Sequence, residues 1–134
     1  MNAPLPNAEA RRLLAAAHDA MRFSAPHVSK FPVGAALHTM RGETITGCNI
    51  ESPSLLQVFC AERVALLKAL SEGHGDFTHI AVVAEKRALI APCGLCRQML
   101  MEFAPELIVI TEDKNGEPHQ KPLTEYLPEA FVVC

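Results

Sequence analysis

Thr78-His79-Ile80-Ala81-Val82-Val83-Ala84 is the stretch on which the fold turns. It carries no charge, glycine or proline, and its apolar run has the length and composition of a strand covered on both faces. Immediately before it, Cys60 to Gly73 reads as a helix, with Ala61, Val64, Ala65, Leu66, Leu67, Ala69 and Leu70 apolar almost all round, which predicts deep packing. After it come a third helix over Cys93 to Phe103 and a second buried strand over Leu107 to Thr111. Further out, Val33 to Met40 and Thr44 to Cys48 are strand-like and meet in a hairpin around Arg41-Gly42-Glu43. Asn7 to Phe23 places Leu13, Leu14, Ala17 and Met21 on one helical stripe, and Pro26 stops anything helical there. Asn49 to Val58 reads as an irregular loop, Asp113-Lys114-Asn115-Gly116 as a turn, and Pro122 to Phe131 as a short helix and tail. This alternation predicts an α/β sandwich with parallel middle strands and an antiparallel first pair.

The composition narrows the function classes. A chain of 134 residues is long enough for one core and too short for two. Twelve Lys and Arg against 15 Asp and Glu, a net charge of −3, remove the case for a broad phosphate-binding surface. No apolar run approaches a membrane span, and Met1-Asn2-Ala3-Pro4-Leu5-Pro6 lacks the basic start and apolar stretch of a signal peptide. A cytoplasmic protein with no membrane and no nucleic-acid partner is expected. Five cysteines in that compartment do not suit a disulfide frame, and an odd count cannot pair fully within one chain.

Three of those cysteines stand where helices begin. Cys93 and Cys96 flank the first turn after Pro92, on one face, and Cys60 opens the buried helix. Exposed N–H groups and the positive helix end favour thiolate at such places. Three converging thiolates would hold one zinc ion with its fourth position open, as in a catalytic site. Glu62, two residues after Cys60, sits in a first turn with few polar neighbours. Burial would raise its pKa into the range of a proton shuttle. Arg63 follows and offsets the excess negative charge of three thiolates on a divalent ion. A Cys-x-x-Cys pair by itself also suits a redox dithiol, and Cys60 by itself suits a core. Jointly, Cys-Ala-Glu and Pro-Cys-x-x-Cys make the signature of the zinc deaminases.

At this point the chain resembles the small, homotetrameric cytidine deaminases over nearly its whole length. The matching stretches are Phe31-Pro32-Val33-Gly34-Ala35-Ala36, Gly47-Cys48-Asn49-Ile50-Glu51, Cys60-Ala61-Glu62-Arg63, Pro92-Cys93-Gly94-Leu95-Cys96-Arg97-Gln98 and Leu127-Pro128-Glu129-Ala130-Phe131. The resemblance implies one domain over residues 1–134, a three-layer α/β/α sandwich with a mixed, mostly parallel-centred five-stranded sheet. It also implies hydrolytic deamination of cytidine or deoxycytidine to uridine or deoxyuridine, in pyrimidine salvage or catabolism. Cys60, Cys93 and Cys96 would be the zinc ligands, and Glu62 would protonate N3 and then the leaving amine. Asn49 and Glu51 would hold the ribose 3′-hydroxyl, Phe31 would pack on the nucleoside, and the Ala61 backbone would meet the pyrimidine. Phe131 would reach the base in a neighbouring subunit's site, so that the homotetramer shares its active sites.

One departure bears on substrate. The family continues Asn-x-Glu with Asn-Ala-Ser-Tyr, whereas this chain has Ser52-Pro53-Ser54-Leu55. Without the tyrosine hydroxyl, Leu55 offers only apolar contact on the sugar's 5′ side. Weaker discrimination there, or tolerance of modified and cytidine-like aminopyrimidine nucleosides, is expected. A reading from another class, a non-catalytic zinc-binding or redox dithiol module, predicts either bound zinc with no need for Glu62 or reactive thiols with no zinc. Cys48 and the six histidines are expected in packing or surface roles, and Cys134 at a fraying end.

Overall fold

The computed structural model describes residues 2–54 and 57–133. Helix α1 (Asn7–Met21) buries Ala10, Leu13, Leu14, Ala17 and Ala20; of the expected stripe Leu13, Leu14 and Ala17 are buried and Met21 is half-buried against the same cluster, and the helix ends two residues before Phe23. Strand β1 (Ala25–Pro26) leads to β2 (Val33–Thr39) and β3 (Thr44–Cys48), a hairpin whose turn places Gly42 at φ +87°. Then come β4 (Ile50–Glu51), β5 (Val58–Phe59), α2 (Ala61–Ser71), β6 (Phe77–Ala84), α3 (Gly94–Phe103), β7 (Ile108–Glu112), β8 (Pro118–Pro122) and a 3₁₀ turn at Leu123–Glu125.

The main sheet has the order β3-β2-β6-β7-β8. Only β6 and β7 pair in parallel; the other three pairings are antiparallel. The parallel character is thus confined to the centre, because β6–α3–β7 is the one helical crossover between sheet neighbours. Alternation along the strands makes three layers. Ala35, Leu37, Ile80, Val82 and Val109 pack toward α2 and α3, whereas Ala36, Ala81, Val83, Ile108 and Ile110 pack under α1.

Three expectations are corrected. The fifth strand, β8, escaped the sequence reading because Pro-His-Gln-Lys-Pro is polar and bounded by prolines, a composition tolerated only at a sheet edge. The span from Asn49 to Val58 is not wholly irregular: β4 pairs with β1 in parallel and with β5 antiparallel, forming a second small sheet. Helix α2 is packed on one side only. Ala61, Ala65, Leu66 and Ala69 are buried, but Leu67 is 43% exposed and lines an apolar surface recess with Phe59 and Val64.

Helix α2 rides directly on β3 because Gly47 has no side chain. A Cβ there would stand 2.6 Å from both the Ala61 carbonyl oxygen and the Ala65 nitrogen. Gly34 performs the same service on the other face, where a Cβ would meet the Ala17 oxygen at 2.0 Å. Among the described residues no helix is long and apolar enough to cross a membrane.

Candidate active site

Cys60 is the N-cap of α2 and Cys93 the N-cap of α3, both with extended backbones, while Cys96 lies one turn inside α3 and is fully buried. Proline at 92 precedes the cap and ends any helical geometry before it. The three sulfurs lie within 4.8 Å of one another, with Sγ of Cys93 3.6 Å from that of Cys60 and 3.3 Å from that of Cys96. They are the only three-ligand cluster of metal-binding type among the described residues. The Cys93 sulfur also accepts the Cys96 backbone N–H at 3.4 Å, which caps the helix and aims both thiols the same way.

The protonation of this trio bears on what it can hold. A hydrogen bond from the Cys96 thiol, together with Arg63 and Cys93, brings Cys60 down to about 5 despite burial. Cys96, which donates to Cys60 and is itself buried beside Glu62, is pushed far up. Cys60 is thus stable as a thiolate, and Cys96 resists ionising beside it. A soft divalent cation removes that conflict by letting all three sulfurs ionise, so the donor set fits zinc with a position left over. Arg63 supports the same balance: its Nη2 lies 3.8 Å from the Cys60 sulfur and 3.2 Å from the Val58 carbonyl oxygen, with the guanidinium 5.8 Å over the Phe59 ring.

Glu62 is 4% exposed and opens on the same cavity as Cys60 and Cys93. Burial pushes its carboxyl up to about 7, and the hydrogen bond from its own N–H only partly offsets this. A carboxyl that is neutral and ionised in comparable amounts near neutral pH is matched to proton transfer in both directions.

The cavity, about 280 Å³, runs from the sulfurs past Ala61 and Phe31 to Asn49 and Glu51. That is the small end of the ligand-cleft range and suits a small molecule rather than a polymer. At its far end both polar residues are already engaged. Asn49 Nδ2 donates to the Phe31 carbonyl oxygen and to Glu51 Oε2, each at 2.9 Å, and its Oδ1 accepts from Ser24 Oγ at 2.7 Å and the Val33 N–H at 2.9 Å. Glu51 accepts four donors: the N–H groups of Val28 (3.1 Å) and Ser29 (2.7 Å) on Oε1, and Ser29 Oγ (2.7 Å) and Asn49 Nδ2 (2.9 Å) on Oε2. Burial works against its charge, but the Ser29, Asn49 and Val28 hydrogen bonds outweigh that and hold its carboxyl below the usual range.

Of the residues singled out in the sequence, Phe31, Asn49, Glu51, Cys60, Ala61, Glu62 and Cys93 line this cavity, with Cys96 behind Cys93 and Arg63 behind Cys60. Phe131 does not line it: that ring is 69% exposed, and its carbonyl accepts from Gln98 Nε2 at 2.9 Å. Leu55 and Cys134 lie outside the described residues. Cys48 is buried and takes no part in the sulfur cluster. Sequence reasoning missed Ser29, Phe59 and Ile90 as wall residues. Ser29, two positions before Phe31, had a local signal as a short hydroxyl beside the Phe31-Pro32-Val33-Gly34 motif; Ile90 had none. Reasoning also missed Arg97, whose Nε donates to the Pro92 carbonyl (2.6 Å) and Nη1 to the Tyr126 carbonyl (2.9 Å), tying the segment before Cys93 to the C-terminal segment.

Residues 7–112 match the family described as the cytidine and deoxycytidylate deaminase zinc-binding region. A cytidine deaminase of Halalkalibacterium halodurans is 44% identical over 106 residues, covering 78% of this chain and 80% of that protein. The crystal structure of a cytidine deaminase from Burkholderia pseudomallei superposes with a TM-score of 0.82 at 43% identity, over 90% of this chain and 97% of that one. A blasticidin-S deaminase of Bacillus cereus is 32% identical over 112 residues, 78% of this chain and 79% of that protein.

Proposed function

The chain belongs to the cytidine and deoxycytidylate deaminase zinc-binding family, and on that footing we propose that it hydrolyses the 4-amino group of cytidine and deoxycytidine. Cys60, Cys93 and Cys96 are the zinc ligands in this reading and Glu62 the proton carrier. One observation carries it: sulfurs from two separate helix starts converge at the head of a cavity that the buried Glu62 also faces.

Zinc, when bound by the three sulfurs, supplies the Lewis acidity that makes a water nucleophilic near neutral pH. Glu62 takes a proton from the attacking water and delivers it to N3, and a second proton then follows the same carboxylate to the departing amine. One C–N bond breaks, one C–O bond forms, and ammonia leaves. Arg63 moderates the negative charge of the thiolates. The Ala61 backbone and Phe31 place the base, while Asn49 and Glu51 meet the 3′-hydroxyl.

We further infer that the working unit is a homotetramer with shared sites. In support, Phe131 is exposed and absent from its own chain's cavity, and the outward recess of Phe59, Val64 and Leu67 is an apolar surface that a second copy would cover. Free thiols at the centre suit a reducing cytoplasm, and a small substrate without phosphate suits the chain's mild charge. Salvage of pyrimidine nucleosides fits such a substrate.

A second substrate reading, deamination of a cytidine-like or modified aminopyrimidine nucleoside, is favoured by the 32% identical blasticidin-S deaminase. The deciding experiment is a panel of cytidine, deoxycytidine and cytidine-like antibiotics with zinc-loaded protein, followed by ultraviolet absorbance. Preferred turnover of cytidine and deoxycytidine supports the first reading, and preference for an antibiotic supports the second. Bound zinc without turnover of any of them refutes both.

A further inference from the structure

Glu51 is an ionised acceptor with every place filled. A carboxylate offers about four lone-pair sites, and Val28, Ser29 (twice) and Asn49 occupy four. A sugar hydroxyl can donate to Glu51 only if one donor withdraws. Two of the four are backbone N–H groups, which cannot leave without moving the chain. A third, Asn49 Nδ2, belongs to an amide pinned by three other hydrogen bonds. The remaining donor is the Ser29 hydroxyl, an exposed side chain on the cavity wall that can turn about a single bond. The local backbone sets it there. Lys30 adopts φ +58°, a left-handed turn that brings the Phe31 N–H back onto Ser29 Oγ at 3.1 Å. Lys86 Nζ fastens the same turn through the Lys30 carbonyl oxygen at 2.6 Å.

We propose that Ser29 is a positioning residue for the sugar: its hydroxyl holds Glu51 Oε2 in the free site and yields that place to the 3′-hydroxyl of the incoming nucleoside. This rests on the reading above that Glu51 meets the sugar. It assigns Ser29 a specificity role with a definite sign. When a nucleoside lacks the 3′-hydroxyl, Ser29 stays, Glu51 remains fully hydrogen-bonded, and the loss is softened. Without Ser29 the same nucleoside leaves a buried carboxylate oxygen short of one donor.

The test compares kcat/KM for cytidine and 3′-deoxycytidine in wild type, Ser29→Ala, Ser29→Thr and Glu51→Gln. The wild type should favour cytidine by less than about tenfold. Ser29→Ala should raise that preference about tenfold further, the worth of one hydrogen bond to a charged group. Ser29→Thr, which keeps the hydroxyl, should restore the wild-type ratio. An equal fall for both nucleosides in Ser29→Ala overturns the proposal and leaves Ser29 a structural residue. If the alanine variant fails to fold, the wild type decides: a preference below about tenfold supports the proposal and a larger one overturns it, because such a loss exceeds that of a softened hydrogen bond. Glu51→Gln separates the two layers. An unchanged preference there removes the sugar role of Glu51 itself. A lost preference there, with Ser29→Ala like wild type, removes only the role of Ser29.

Discussion

The two ends of the cavity are built by different means. At the sulfur end, five chemically important side chains come from two short segments, Cys60 to Arg63 and Cys93 to Cys96, each placed by a helix start. At the other end, which we propose meets the sugar, Asn49 and Glu51 are placed by partners 16 to 25 residues away, through Ser24, Val28, Ser29, Phe31 and Val33. Helix caps position groups through local backbone geometry, so the sulfur end is rigid as soon as α2 and α3 pack. The sugar end is a network in which each member is held by the others. The first can tolerate little substitution without losing its chemistry, whereas the second should lose recognition before it loses turnover.

The largest effect expected from breaking this contrast is at the sulfurs. Cys93→Ala should abolish zinc retention and deamination and lower the melting temperature, since a metal held by the three sulfurs would tie the starts of α2 and α3 together. Metal analysis beside a thermal melt checks this, and full zinc occupancy in the variant would show that the trio is not the site. Glu62→Gln should keep the zinc and the fold but cut kcat by about 10²–10⁴-fold, the usual worth of a general acid–base group. Unaltered turnover would remove Glu62 from the chemistry.

Smaller effects separate scaffold from site. Gly47→Ala forces α2 away from β3 and should cost about 1–3 kcal/mol of stability and also reduce zinc affinity, because Cys60 and Glu62 ride on that helix. Gly34→Ala, clashing with α1 on the opposite face, should destabilise comparably while the folded fraction keeps its zinc affinity. Equal losses of zinc affinity in the two variants would mean that the faces are not independent. Zinc titration of the folded fraction decides it.

The gentlest test is at the sugar end. Glu51 is held below the usual carboxylate range in the folded protein, so its ionisation stabilises the fold at pH above the unfolded-state value of about 4.3. That contribution is lost as pH falls through the lower folded value. The stability gap between wild type and Glu51→Gln should therefore be constant near neutrality and close below that range. Denaturant melts at several pH values measure it, and a gap that widens on acidification contradicts the network as drawn.

The sulfur end was legible in the sequence because its geometry is local. Three residues along a helix start determine where Cys93 and Cys96 point, and Glu62 follows Cys60 by a fixed rotation. For the same reason α1, the β2–β3 hairpin, β6 and β7 could be read from period and turn chemistry. Strand β8 could not, since an edge strand needs no apolar alternation and its pairing with β7 is decided across the sheet. Nor could the outward face of α2: Leu67 and Val64 are as apolar as their buried neighbours, and only packing decides which side the sheet covers. The deepest difference lies at Glu51. Sequence by itself determined that a carboxylate stands two residues from an amide. That its four acceptor places are filled, one of them by the hydroxyl of Ser29, was decided by tertiary structure alone, because hydrogen bonds between residues 22 apart leave no periodic trace in the chain.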